Sequence, residues 1–251
     1  MTRKKQTLAA RLQPYALVAL LLLVWQLACA SGALPAYLLP SPLNVGRAFV
    51  REFPMLMRHA GVSLGEAFTG LGLGIAAAFL FGLIMDRSAF LRRAVYPVLL
   101  LTQTIPPVAI APLLVLWMGY GVAPKIMLVF LTCFFPVTIG LLRGFAVADP
   151  DAVRLLSAMG ASPLQLLRHV KLPGALPHFF AGLRVSVTYA IVGAVIAEWL
   201  GGEAGLGVYM TRVRKSYEFD KMYAVIILII IISLVLLSIV KIIERRALKN
   251  V

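Results

Sequence analysis

Two acidic side chains stand inside otherwise apolar blocks of the sequence. Glu66 lies about two turns into block 59–85, and Glu198 lies near the end of block 179–200, directly before Trp199. An ionisable residue inside a membrane span is a functional candidate, because a carboxylate there can carry a proton or bind an ion. Both residues are close to an end of their block, where a carboxylate stays hydrated or hydrogen-bonded. We therefore expect neither to be a proton carrier.

The sequence offers no constellation of residues for catalysis. It contains no G-x(4)-G-K-[ST] loop for ATP and no HExxH or Cys/His cluster for a metal. His59, His169 and His178 are scattered, and Cys29 and Cys133 each lie inside an apolar block, as buried free thiols do. We expect His169 and His178 to be water-accessible interface residues. The chain is predicted to be non-catalytic and to hold no cofactor, and if it moves a solute uphill, the energy must come from another chain.

Composition predicts a membrane protein. Hydrophobic residues make up 61% of the 251 residues and charged residues only 14%, whereas a soluble domain has about 25% charged residues. A spanning helix needs roughly 20 mostly apolar residues. Six apolar blocks approach or exceed this length, at 14–30, 59–85, 94–124, 126–142, 179–200 and 222–240. The pattern predicts an all-α integral membrane protein with six spans, forming one domain over 1–251 with its core at about 58–245.

Two of the six blocks have an alternative interpretation. Basic residues precede block 14–30, and Ala28-Cys29-Ala30 imitates a signal-peptidase site, so cleavage is an alternative to the retained first helix that we favour. In block 94–124, Thr104-Ile105-Pro106-Pro107 and Pro112 interrupt the helix. Irregular backbone at membrane depth requires protein or a cavity to receive the freed polar groups. This block predicts either a broken helix of the transporter kind or a simple proline kink.

The basic residues predict the topology. The net charge of +14 is not spread as a nucleic-acid surface, because Lys and Arg cluster at the ends of apolar blocks. With the N-terminus inside, the inner segments hold 15 Lys and Arg and the outer segments hold 8. Cytoplasmic segments of membrane proteins carry this excess. We expect both termini and segment 149–177 to lie in the cytoplasm.

Segment 149–177 predicts a helix, a sharp turn and a second, short helix. Asp149 can cap a helix that begins at Pro150, and Gly160 can end it in a left-handed turn. Ser162 and Pro163 repeat the start signal. The apolar residues of the two helices are Leu155, Leu156, Met159, Leu164, Leu167 and Val170. The second helix is expected to stop at Pro173, Gly174 and Pro177.

One part of this segment resembles a known motif. Gly160, nine intervening residues and Val170-Lys171-Leu172-Pro173 are similar to the G-x(9)-I-x-L-P half of the "EAA" loop of binding-protein-dependent ABC importer permeases. The E-A-A triplet itself should fall at Arg154, Leu155 and Leu156, so no role for a glutamate carries over. A DNA-binding helix-turn-helix is set aside, because the second helix is short and adjoins a span.

Other motifs resemble the same family in the right order along the chain. They are Leu39-Pro40-Ser41-Pro42, Pro106-Pro107, Ala111-Pro112-Leu113, Trp117-Met118-Gly119-Tyr120-Gly121, Gly182-Leu183-Arg184, Ala197-Glu198 and Gly205-Leu206-Gly207. The branch that they resemble transports nitrate, sulfonates, taurine and precursors of thiamine or riboflavin. Segment 190–210 and the missing E-A-A favour the pyrimidine precursor of thiamine.

The resemblance implies a multi-pass permease of the bacterial cytoplasmic membrane. Its partners would be a second copy of the chain, a cytoplasmic ATPase dimer that holds ATP and Mg²⁺, an extracytoplasmic solute-binding protein and membrane lipid, without nucleic acid. The residues implied to couple to the ATPase are Arg154, Leu155, Met159, Gly160, Ala161, Leu164, Leu167, Val170, Leu172 and Pro173. The residues expected along the translocation pathway are Pro106, Pro107, Pro112 and Glu198.

Two other classes of protein remain as alternatives. An ion-coupled secondary transporter or channel would work without an ATPase and would need intramembrane carboxylates, for which Glu66 and Glu198 are the candidates. A membrane enzyme would need a catalytic cluster, which the sequence does not provide.

Overall fold

The computed structural model describes residues 8–32, 35 and 39–250, and within these ranges the secondary structure is entirely helical. In chain order the helices are α1 (Leu8–Ala30), α2 (Pro42–Arg51), α3 (Phe53–Arg87), α4 (Ala89–Thr102), α5 (Pro107–Met118), α6 (Ala123–Ala146), α7 (Pro150–Ala158), α8 (Pro163–Leu166), a π-helical turn (Leu167–Lys171), α9 (Leu172–Glu198), α10 (Leu206–Lys215), α11 (Phe219–Ala247) and a closing 3₁₀ turn (Leu248–Asn250). The all-α class is confirmed.

Four helices of the described chain are long and apolar enough to cross a membrane. They are α3, α6, the continuous helix Pro163–Glu198 and α11. Helices α4 and α5 form a fifth candidate, bent by 102° at the break between them. The apolar part of α1, Ala16–Ala30, is shorter than these. The count of six spans, the position of both termini and the fate of α1 therefore stay predictions, and Arg3, Lys4 and Lys5 lie outside the described residues.

The chain divides into two compact units. One unit consists of residues 58–209 and 229–251, and the other of residues 1–57 and 210–228. In the second unit, Ser41 caps α2 by accepting a hydrogen bond from the Asn44 N–H, with Pro42 at the first helical position. The rings of Trp25 and Tyr223 also meet there, with centroids 5.8 Å apart. The single domain over 1–251 stays a prediction.

In the larger unit, α3, α6 and α9 pack closely because glycines face their neighbours. A Cβ atom on Gly70 would lie 2.6 Å from the Val129 Cβ, and one on Gly144 would lie 2.6 Å from Ala175. Small residues let helix backbones approach in a membrane, where van der Waals packing drives association. Gly70 makes such a close contact, whereas a Cβ added to Gly61 or Gly65 would have no atom within 4 Å.

The predicted helix-turn-helix forms, with one correction. The Asp149 carboxylate accepts from the N–H groups of Asp151 and Ala152, and Gly160 takes a φ of +82°. Ser162 forms a capping box with Gln165. The stop expected at Pro173, Gly174 and Pro177 is wrong, because the second helix continues through the π-helical turn into α9 and reaches Glu198.

Candidate functional site

A cavity of about 540 Å³ lies among the end of α4, α5, α6 and α9. Much of its wall is apolar, including Ile105, Ile110, Leu131 and Phe135. Its polar side chains are Thr102, Gln103, Thr132, Arg143, His178 and Tyr189. A concave apolar wall with a few polar groups is the usual form of a small-molecule site.

The break between α4 and α5 borders this cavity. The Thr102 hydroxyl donates to the Leu99 carbonyl at 2.9 Å, and the Thr104 hydroxyl donates to the Leu101 carbonyl at 2.7 Å. Side-chain hydroxyls thus satisfy backbone carbonyls at the end of α4. Pro107 then begins α5 and lines the cavity. With a bend of 102°, the block is a broken helix and not a proline kink.

The other residues expected along the translocation pathway do not line this cavity. Pro106 precedes α5 as its exposed N-cap, and Pro112 is accommodated on an exposed side of α5. Glu198 is buried in the polar cluster described next. Of the four residues named from the sequence, the structure places Pro107 in the cavity wall.

A buried polar cluster, here called the Glu198 cluster, joins α3, α6 and the end of α9. Its members are His59, Ser63, Glu66, Lys125 and Glu198, whose exposed fractions are 5%, 0%, 4%, 5% and 1%. The Ser63 hydroxyl donates to Oε1 of Glu198 at 2.6 Å, and the Gly207 N–H donates to Oε2 at 2.5 Å. Glu198 is thus bound to two elements at once.

Two further contacts hold the segment after Glu198 against α3. The Leu206 N–H donates to the Ser63 hydroxyl at 2.8 Å, and the Gly205 N–H donates to Nδ1 of His59 at 3.0 Å. Gly205 has a φ of +128°, and its added Cβ would collide with the Glu198 carboxylate. A glycine is needed there both for the conformation and for the space.

The Glu66 carboxylate pairs with the Lys125 ammonium at 2.9 Å, with both side chains buried. Oε2 of Glu66 accepts no hydrogen bond within the described part of the chain. Of the two environments expected for these carboxylates, hydrated or hydrogen-bonded, the structure shows the hydrogen-bonded one for both Glu66 and Glu198. They are desolvated, and an ion pair and hydrogen bonds compensate for the desolvation, which is the condition for burying charge.

Sequence reasoning missed Ser63 and Lys125 as partners of the two carboxylates and gave His59 no role. A signal was present for two of them. His59, Ser63 and Glu66 are spaced i, i+4 and i+7, so they form one polar stripe on a helix that is otherwise apolar. Lys125 gave no such signal, because its pairing with Glu66 depends on the tertiary packing of α3 against α6.

The remaining histidines differ from each other. His169 is exposed, as expected. His178 is half-buried in the cavity wall, and its Nδ1 is buried without a hydrogen-bond partner among the described residues, so it is less exposed than His169.

The loop between α6 and α9 exposes large apolar side chains around Gly160. Leu155, Met159 and Leu164 have exposed fractions of 63%, 74% and 71%, and together they are called the exposed turn. Arg154 is also exposed and makes a surface ion pair with Asp151 at 3.5 Å.

Other residues named for coupling point back to the protein. Leu167 and Leu172 pack against a buried cluster that includes Met85, Leu142 and Phe145, whereas Leu164 is exposed; the coupling role of Leu167 stays a prediction. The π-helical turn carries Leu167 into the continuous helix. Ala161, Val170 and Pro173 are half-buried.

Long apolar helices, a bent helix pair beside a cavity and a helical loop with exposed apolar side chains are features of a multi-pass membrane protein.

Comparison with known proteins identifies the family. The family described as "Binding-protein-dependent transport system inner membrane component" matches residues 70–249, and the chain belongs to it. A "Probable ABC transporter permease protein" of Haemophilus influenzae is 38% identical over 90% of this chain and 92% of its own length. The formylaminopyrimidine transport permease protein ThiX of Halalkalibacterium halodurans is 32% identical, over 93% and 94%.

The fold has also been seen in solved structures. A chain of the MetNI methionine ABC transporter in an inward-facing conformation superposes with a TM-score of 0.68 at 19% identity, covering 78% of this chain and 98% of that one. At this identity the likeness concerns the fold. Relatives named for formylaminopyrimidine, aliphatic sulfonates and taurine confirm the branch of the family that the sequence motifs resemble.

Proposed function

We propose that this chain is one of two identical membrane subunits of an ATP-driven importer in the bacterial cytoplasmic membrane. An extracytoplasmic solute-binding protein delivers the solute, and a cytoplasmic ATPase dimer with ATP and Mg²⁺ drives its passage. The chain itself performs no catalysis. Both termini and the exposed turn face the cytoplasm, and the translocating domain covers 1–251 with its core at about 58–245.

The observation that carries this proposal is the exposed turn. Leu155, Met159 and Leu164 are large apolar side chains exposed to 63% or more on a loop with an otherwise well-satisfied backbone. Exposed apolar groups rimmed by polar residues mark protein contact sites. Arg154 lies beside them and supplies a charge at the rim. Docking of the ATPase on this surface gives these side chains the burial that the isolated chain does not.

The residues that line the cavity favour a small polar solute with an aromatic ring. Thr102, Gln103 and Thr132 provide hydroxyl and amide groups, and Phe135 and Tyr189 provide aromatic surfaces. Aromatic rings stack on aromatic solutes, while amides and hydroxyls pair with ring nitrogens and amino groups. We assign a pyrimidine precursor of thiamine as the solute, ahead of a sulfonate, taurine or nitrate.

The alternative of an ion-coupled transporter has less support. A coupling carboxylate must be reachable from the pathway in at least one state of the transport cycle. Glu66 and Glu198 are 4% and 1% exposed. Lys125 pairs with the carboxylate of Glu66, and Ser63 and Gly207 donate hydrogen bonds to the carboxylate of Glu198. Their contacts are those of a structural network.

Reconstitution tests the function. The purified permease, an ATPase that copurifies with it and a candidate solute-binding protein are placed in liposomes, and uptake of labelled formylaminopyrimidine and of taurine is compared. ATP-dependent uptake of the pyrimidine, competed weakly by taurine, is the expected result. ATP-dependent uptake of taurine alone would reassign the solute, and ion-driven uptake without the ATPase would establish the alternative.

Topology has a separate test. A membrane-impermeant thiol reagent applied to intact cells should label a cysteine introduced by Glu203→Cys and should leave one introduced by Ser157→Cys unlabelled. Both positions are exposed, so accessibility of the side chain does not bias the comparison. Labelling of the Ser157→Cys variant from outside would overturn the proposed orientation.

A further inference from the structure

The base of the loop that bears the exposed turn is a π-helical turn. The Leu172 N–H donates to the Leu167 carbonyl, five residues back, where an α-helix would use the residue four back. Pro173 follows and has no N–H, so an α-helical bond to the His169 carbonyl is impossible there. The wider turn lets the helix continue past this defect. Single π-helical turns of this kind occur frequently at functional sites.

Lys171, the last residue of the π-helical turn, is held by an acid on another helix. Its ammonium donates to both carboxylate oxygens of Asp86, at 3.0 and 2.8 Å. The side chains are 26% and 14% exposed, so water screens the pair only in part. The two hydrogen bonds fix the end of α3 relative to the base of the loop.

Asp86 occupies a position in its helix that is unfavourable for an acidic side chain. It lies in the last turn of α3, where the exposed carbonyl end of the helix disfavours a negative charge. The contact with Lys171 compensates for that local cost. A residue that is unfavourable in its own helix but satisfied across the fold points to a role for the cross-helix contact.

The surroundings of the pair are tightly packed. Met85, beside Asp86, is 2% exposed and belongs to one cluster with Leu142 and Ala175, against which Leu172 packs. The start of α9 also touches α6 closely at Gly144. The base of the loop is therefore seated on α3 and α6, while the exposed turn is open to a partner.

We infer that Lys171 and Asp86 form the positioning contact through which movement of the loop is passed to α3. With the pair intact, α3, α6 and α9 shift together when the ATPase moves the exposed turn. Without the ion pair, the π-helical turn deforms when the loop moves, and α3 is displaced less than α6 and α9. The inference rests on the proposed function, since it requires an ATPase to move the loop.

The test measures solute transported per ATP hydrolysed by the reconstituted complex. Lys171→Met and Asp86→Asn should each retain stoichiometric ATPase and ATP hydrolysis, while the transport ratio falls about tenfold, within the range of coupling between distant sites. The exchanged double variant Asp86→Lys with Lys171→Asp should recover most of the ratio. The exchange also places a lysine at the C-terminus of α3, where the helix favours a cation.

A matched control is the ion pair of Arg184 in α9 and Glu244 in α11, which is also half-buried. Arg184→Met should lower the thermal midpoint of the complex without changing the transport ratio. An unchanged ratio in Lys171→Met would overturn the inference, as would failure of the single and exchanged variants to assemble, since the pair would then serve folding only. Absence of ATP-driven uptake by the unaltered complex would instead refute the proposed function itself.

Discussion

The Glu198 cluster and the exposed turn both depart from the usual distribution of side chains, in opposite ways. The cluster buries polar groups, and the turn exposes apolar ones. In the Glu198 cluster, charged and polar side chains are drawn inside and satisfied by one another and by the backbone N–H groups of the segment after α9. In the exposed turn, the backbone is satisfied by caps and the apolar side chains remain outside. The carboxylates of the first region are paired within the chain, whereas the apolar side chains of the second are exposed, and we propose that another protein covers them.

The two regions differ in which groups remain available to other molecules. Charge inside an apolar block first suggests chemistry, yet the buried carboxylates are already engaged by protein groups. An apolar side chain on a hydrophilic loop suggests little by itself, yet its exposure marks a surface that a partner would bury in the proposed function. Variants in the two regions should therefore fail differently: in the first through folding, in the second through association.

The largest effect is expected from Lys125→Met, which leaves Glu66 buried without its ion partner. Removing one member of a buried pair costs about 3–5 kcal/mol, because the remaining charge is desolvated and uncompensated. The yield of folded permease and its thermal midpoint in detergent should both fall sharply. The double variant Glu66→Leu with Lys125→Met should recover much of the loss, since no charge is then left unpaired. Equal stability of the single variant and the unaltered protein would show that the pair is solvated.

Gly160→Val should abolish uptake while the protein still inserts and expresses. The φ of +82° disfavours a β-branched residue by about 1 kcal/mol or more, and no atom lies within 4 Å of the added Cβ, so the strain is confined to the turn. The angle between α7 and α8 changes, and the ATPase should dissociate from the solubilised complex. Leu164→Asp should have the same result by placing a charge in an apolar contact.

The control for Gly160→Val is Gly61→Val on α3, another position where the added Cβ has no neighbour within 4 Å but where the backbone is helical. It should keep the ATPase and uptake. Retention of both by Gly160→Val and by Leu164→Asp would show that the loop is a linker, and the proposed coupling would fall.

Local signals in the sequence predicted local structure well. Asp149 and Ser162 cap their helices and Gly160 turns the chain, because each effect depends on a few neighbouring residues. The stop at Pro173 was wrong for a complementary reason. A proline removes one hydrogen bond, but a π-helical turn and packing on α3 and α6 compensate for that loss.

The candidate site was less predictable than the loop. Pro107, expected along the translocation pathway, lines the cavity, as a broken helix in a membrane needs protein or a cavity around it; its place in the pathway stays a prediction. The place of Glu198 in the pathway stays a prediction, and of the two environments expected for it, hydrated or hydrogen-bonded, the structure shows the second. Its partners come from α3 and from the chain beyond α9, and only the packed fold brings Ser63 to a residue 135 positions away.

A smaller effect is expected from Glu198→Gln, which tests the structural role directly. An amide in place of the carboxylate sets an NH₂ group against either the Ser63 hydroxyl or the Gly207 N–H, and an unsatisfied buried group costs about 1–3 kcal/mol. The thermal midpoint should fall, while uptake per folded transporter and its dependence on ATP should stay. Glu66→Gln should likewise keep uptake per folded transporter. Loss of uptake in a well-assembled variant of either residue would revive the ion-coupled alternative.

The smallest effect is expected from Arg154→Ala, at the head of the motif where the family places a glutamate. Arg154 is 81% exposed and its ion pair with Asp151 is equally open to water, so the pair adds little to the stability of the permease. A charge at the rim of an interface acts mainly on the rate of association and on its salt dependence. Binding of the ATPase to the variant should be a few-fold slower at low salt and nearly normal at high salt, with an unchanged thermal midpoint. Leu155→Ala, one residue further along, should weaken binding at both salt concentrations because it removes apolar contact. If Arg154→Ala were as damaging as Gly160→Val, the guanidinium would lie in the centre of the contact, and the exposed turn would be part of a larger, charged docking surface.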